Sequence, residues 1–155
     1  MVKRFLSTLL AWLPLITLYS VIYYLSDQSR LPGPTGPVAD FVWFKTAHII
    51  VYSAMGLFSL VAVSRSFPKK SRTRHKLLIL YLALFLAVSF AIHDEWHQST
   101  TPGREASERD VVIDSLAIGA MLTWLARYNF TASSSRGWRK LRDVAQMARA
   151  HAWGA

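Results

Sequence analysis

The chain has 155 residues, 52% of them apolar, with 18 Lys/Arg against 9 Asp/Glu and no cysteine. Four blocks, 5–25, 46–64, 77–92 and 111–126, together hold 72 residues and one formal charge, Asp114, while the other 26 charges crowd into the remaining 83 residues. Uncharged runs of this length match a hydrocarbon core of about 30 Å crossed at about 1.5 Å per residue, which excludes a soluble globular domain; the missing cysteine also excludes thiol catalysis and thiolate metal sites.

The first block is longer than an ordinary signal-peptide core, and no small-x-small cleavage site follows Leu25, so a retained anchor helix is predicted over 5–25. Leu31-Pro32-Gly33-Pro34-Thr35-Gly36-Pro37 then forbids a helix and predicts an extended or turning connection. Asp40-Phe41-Val42-Trp43-Phe44 brings aromatics to the start of the second span, 46–64; like Tyr23 and Tyr24 at the end of the first, they read as an interfacial belt. Each of the last two blocks gives only about 24 Å of helix. Their helices are therefore predicted to continue through polar flanks, as spans of about 77–97 and 110–126. Strands are not expected, because the blocks lack the alternation of a lipid-facing barrel and four strands cannot close one. The fold class is an all-α membrane protein, a bundle of four transmembrane helices over 1–127 followed by a basic tail over 128–155. In the tail, Trp138, Leu141, Ala145 and Ala148 recur at helical spacing among basic residues, which reads as an amphipathic helix on the membrane surface or as plain disorder.

Fourteen of the 18 Lys/Arg lie before the first span, between the second and third, or after the fourth. The positive-inside rule then puts both termini in the cytoplasm and the protein in a cytoplasmic membrane. Eight of the nine acids lie in or beside the other two loops. The basic residues border membrane spans, where anionic lipid and orientation account for them, so no nucleic-acid partner is expected.

The chemistry concentrates in His93-Asp94-Glu95-Trp96-His97-Gln98-Ser99-Thr100-Thr101-Pro102-Gly103-Arg104, followed by Asp110 and Asp114. An unpaired Asp near the centre of a span costs about 2.5–3.5 kcal/mol, so Asp114 is expected to face protein or water and to have a partner, Arg104 or a protonated His48. Asp110 and Asp114 share one helical face, Asp94 and Gln98 another, and Lys45, His48 and Tyr52 a third. Three spans thus present polar faces at the same depth, which predicts a site at the outer end of the bundle. A plainer reading has these groups cross-linking the bundle through hydrogen bonds and an Arg104–carboxylate pair. Small residues such as Gly56, Ala117, Gly119 and Ala120 would hold a bundle without so many titratable groups.

The run Asp94-Glu95-Trp96-His97-Gln98, then Pro102-Gly103-Arg104, then Asp110, Asp114 and Gly119, resembles the signature of the VanZ-like family of bacterial membrane proteins. Lys45-Thr46-Ala47-His48 with Tyr52 is similar to that family's earlier motif, and Ser26-Asp27-Gln28 to a weaker element after its first span. The resemblance covers about residues 20 to 125 and leaves His93 outside the pattern. It implies a multi-span bacterial membrane protein whose founding member is associated with teicoplanin resistance, and it supplies no settled reaction.

The first functional reading is an outward-facing site that handles the headgroup of a membrane lipid or polyprenyl-linked envelope precursor by hydrolysis or transfer. His48 or His97 would serve as general base and Glu95 or Asp114 would orient it or take protons. Lys45, Tyr52, Asp94, Gln98, Arg104 and Asp110 would hold the substrate, with Arg104 clamping a phosphate or carboxylate. A non-enzymatic envelope accessory is the alternative. A proton-coupled transporter fits less well, because four short spans without a broken-helix repeat would need a homo-oligomer. No cofactor is expected. His93 and His97 have the spacing of a zinc-binding pair, but Glu95 does not directly follow the first His as in zincins, so a divalent metal is the lesser alternative.

Overall fold

A computed structural model describes residues 2–127 except 30–32, 35, 69–71, 73 and 105, and except the side chains of Lys3 and Arg4. The amphipathic helix predicted in the tail lies outside the described residues. Among those residues there are four helices and no strand: α1 Val2–Ser26, α2 Pro37–Ser66, α3 Lys76–Thr100 and α4 Glu108–Arg127. The segment Phe5–Ser26 of α1 and the whole of α2 and α3 are long and apolar enough to cross a bilayer.

The helices outrun the apolar blocks, as the short blocks require. Helix α2 starts at Pro37, whose fixed φ and missing N–H suit a first turn, so the stretch Asp40–Phe44 is already helical. Helix α3 runs on through its polar end to Thr100. Helix α4 carries Glu108 and Asp110 in its first turn and Arg127 in its last, charges that complement the helix dipole at both ends.

Helix α2 is central, packing against the other three, and its contact with α4 is the most extensive. At that crossing a Cβ on Gly56 would sit 3.3 Å from the Ile118 carbonyl oxygen, so glycine is what lets the two backbones approach. On α3, Ile79, Ala83, Ala87 and Ala91 form a buried stripe of mostly small residues that seats the helix against its neighbours. Large apolar side chains, among them Leu13, Ile50, Tyr81, Phe85 and Leu116, instead point outward. A bundle as apolar outside as inside is built for lipid.

Because the helices alternate in direction, the C-terminal ends of α1 and α3 meet the N-terminal ends of α2 and α4. The connections 27–36 and 101–107 therefore lie at one end of the bundle. At the other end Trp12 Nε1 donates to Ser66 Oγ at 3.2 Å, and Thr8 Oγ1 donates to the Arg65 carbonyl at 3.4 Å, tying α1 to the end of α2.

Candidate functional site

A cavity of about 440 Å³ opens at the end that holds the two polar connections. Helix α1 contributes Ile22, Leu25 and Ser26, α2 contributes Asp40, Phe44, Lys45, Ala47, His48, Val51 and Tyr52, and α3 contributes Asp94 and Gln98. Ser29, Gly103, Arg104 and Asp110 complete the wall. Ten of the sixteen lining residues are polar, so the wall is richer in convergent polar groups than the usual small-ligand site.

Asp94 is the hub of its floor. Its carboxylate accepts a hydrogen bond from Ser26 Oγ of α1, one from Tyr52 Oη of α2 at 2.8 Å and one from Gln98 Nε2 of α3 at 2.9 Å. Three helices are fastened through one carboxylate that is only 2% exposed. Since the Gln98 amide N–H points at Asp94, its carbonyl Oε1 points the other way and accepts from Arg104 Nη2 at 3.1 Å. Arg104 is thus held by a neutral group; among the described residues it pairs with no carboxylate, in contrast to the Arg104–carboxylate pair of the plainer, cross-linking alternative.

Helices α2 and α4 run in parallel from this end, so residues three or four apart on one face residues four apart on the other. Lys45 pairs with Asp110, and His48 Nδ1 lies 3.3 Å from both oxygens of Asp114. With Asp114 ionised its carboxylate only accepts, which places a proton on His48 Nδ1; the other ring nitrogen, Nε2, has no partner among the described residues. Asp114, 1% exposed, stands behind the imidazole and outside the cavity wall, and its partner is His48 rather than Arg104. The pair has the form of an oriented general base.

The family model described as VanZ/LLP1 matches residues 3–130. The chain belongs to the VanZ/LLP1 family. No curated protein and no solved structure matches it. With family membership and three helices able to cross a bilayer, this is a multi-pass membrane protein of the VanZ/LLP1 type.

Of the residues singled out in this VanZ/LLP1 chain, Lys45, His48, Tyr52, Asp94, Gln98, Arg104 and Asp110 line the cavity, and Asp114 backs His48. Glu95 and His97 do not line it. The Glu95 carboxylate accepts from the backbone N–H of Ser107 and so holds the connection just before α4. His97 is turned toward α1, its ring stacked on Tyr23 at 4.1 Å, with Nε2 3.5 Å from Asp27 Oδ1, an ion-pair distance without hydrogen-bond geometry. His93 also faces α1, with Nδ1 2.6 Å from Tyr19 Oη. Among the described residues, no group of three His, Asp or Glu converges as a metal-ligating set.

Four lining residues escape a hydropathy reading: Ser26, Ser29, Asp40 and Phe44. Asp40 and Phe44 precede His48 and Tyr52 at steps of four, so the face of α2 that reaches the cavity extends upstream of the apolar block. That spacing was the available signal, and it becomes readable once Pro37 is taken as the start of the helix.

Proposed function

We propose that the bundle lies in the bacterial cytoplasmic membrane with both termini cytoplasmic and the cavity outward, and that it handles the headgroup of a membrane lipid or lipid-linked envelope intermediate. The observation that carries this reading is the pairing of His48 with Asp114 at a cavity whose rim holds Arg104 and Lys45. Helix α4, about 30 Å long at 1.5 Å per residue, serves as the fourth span, with Asp110 and Asp114 covered by α2. Charge supports the orientation: the ends opposite the cavity are flanked by most of the basic residues.

In a hydrolysis or transfer step, His48 Nε2 takes the proton of water or of an acceptor hydroxyl as its oxygen attacks, and returns it to the departing alcohol. Asp114 holds the ring and stabilises the imidazolium, while Arg104 binds the anionic group. A change in envelope lipids made this way would be the link to a glycopeptide-resistance phenotype of the teicoplanin type. The positions of Glu95 and His97 outside the cavity favour a second reading, a binder without turnover, because they leave His48 as the sole histidine among the described lining residues.

The test is incubation of the purified full chain in bilayers of total bacterial lipid, with headgroup products followed by mass spectrometry. Turnover by the wild type and its loss in His48→Gln, which keeps hydrogen bonding but cannot titrate, is the expected result. Lipid binding without turnover in either protein selects the binder.

A further inference from the structure

Among the described residues, four buried side-chain polar atoms have no hydrogen-bond partner: Asp40 Oδ1, Ser59 Oγ, His97 Nε2 and Arg104 Nε. Two of these, Asp40 and Arg104, line the same cavity and carry opposite charges. Arg104 is bonded to the neutral Gln98, and Asp40 has no counter-charge among the described residues, so the two side chains suit a ligand that brings an anion to one and a cation to the other.

The remaining charges on the wall narrow the ligand further. Lys45 is already taken by Asp110, and Asp94 is saturated by its three donors. The wall therefore holds two cations and three carboxylates, of which only Arg104 and Asp40 are uncommitted. A ligand of net negative charge would meet one free cation and a surplus of carboxylates. A zwitterion would meet one partner for each of its charges.

We propose that the cavity takes a zwitterionic phospholipid headgroup, with the phosphate on Arg104 and a primary ammonium on Asp40; phosphoethanolamine is the simplest such group. The inference rests on the lipid-headgroup reading above and names its substrate class. A guanidinium suits a phosphate, and an ammonium supplies N–H donors to the Asp40 carboxylate. A quaternary ammonium has no N–H to donate to it. A headgroup with an additional carboxylate finds no further free cation. Ile22, Leu25, Phe44 and Val51 give the cavity an apolar wall beside which acyl chains can run.

The experiment is calorimetric binding of dihexanoyl phospholipids, below their micellar concentrations, to the purified full chain. The ethanolamine lipid is expected to bind at least about tenfold more tightly than the glycerol, choline and serine lipids. Asp40→Asn should reduce the ethanolamine lipid to the level of the glycerol lipid, and Arg104→Gln should weaken all four. Should Asp40→Asn fail to fold, the wild-type ranking decides alone. Equal affinities, or a preference for any of the other three lipids, would overturn the inference and leave the lipid-headgroup reading standing, whereas no binding of any lipid would overturn both. Free O-phosphoethanolamine is expected to bind more weakly than the lipid; equal binding would remove the lipid as its source.

Discussion

Asp94 and Asp114 are both buried and sit at the same end of the bundle, yet their surroundings differ in kind. Asp94 receives three donors from three helices, whereas Asp114 faces one imidazole nitrogen, 3.3 Å from each of its oxygens. Burial alone does not separate a structural carboxylate from a chemical one; saturation does. A carboxylate surrounded by fixed donors has little room to change its proton or partner, while one paired with a single titratable ring is coupled to whatever that ring does.

This contrast can be broken by mutation. Asp94→Ala strands the hydroxyls of Ser26 and Tyr52 and the amide of Gln98, and is expected to destabilise the bundle by about 3–5 kcal/mol, read from denaturant unfolding in micelles. Tyr52→Phe removes a single donor to the same carboxylate and should cost about 1.5–3 kcal/mol, with headgroup binding weakened in parallel because Gln98 and Arg104 loosen with the hub. For Lys45 and Asp110, both partly exposed, a double-mutant cycle of Lys45→Met with Asp110→Asn is expected to return a coupling of about 1 kcal/mol. The smallest change in stability, within about 1 kcal/mol, is expected for Asp114→Asn, which keeps a hydrogen-bonding side chain of the same shape beside His48. That variant should nonetheless lose headgroup turnover. If it instead unfolds the protein as Asp94→Ala does, Asp114 is structural and proton transfer at His48 loses its support.

Much of this arrangement was legible in the chain. Hydropathy located the four helices, three of which are long and apolar enough to cross a bilayer, and the shortness of the last two blocks showed that their helices continue into polar sequence. Lys45, His48, Asp110 and Asp114 could be grouped from their spacing, since two parallel helices with polar residues at matching intervals have one natural register. What spacing does not encode is which neighbour a given face meets. Glu95 and His97 lie within the same polar turns as Asp94 and Gln98, but one reaches the Ser107 N–H and the other turns to Tyr23, outcomes set by how α3 is rotated against α1 and α4. Asp40 was hidden for another reason: the hydropathy boundary at 46 is not the helix boundary at Pro37.

The pairing of Asp110 and Asp114 of α4 with side chains of α2 also bears on how the protein is made. Glu108, Arg109, Asp110 and Asp114 crowd the first two turns of α4, so as an isolated segment it is a poor candidate to leave the translocation channel for lipid. Lys45 and His48 cover two of those charges, and they belong to a helix synthesised earlier. As the fourth span, α4 would enter the bilayer beside an already inserted α2, and the pairing of His48 with Asp114 would be the final event of biogenesis. A chain stopped before 108 would then insert its first three helices but leave His48 without its carboxylate, while α4 fused alone to a reporter would stay on the side of its synthesis.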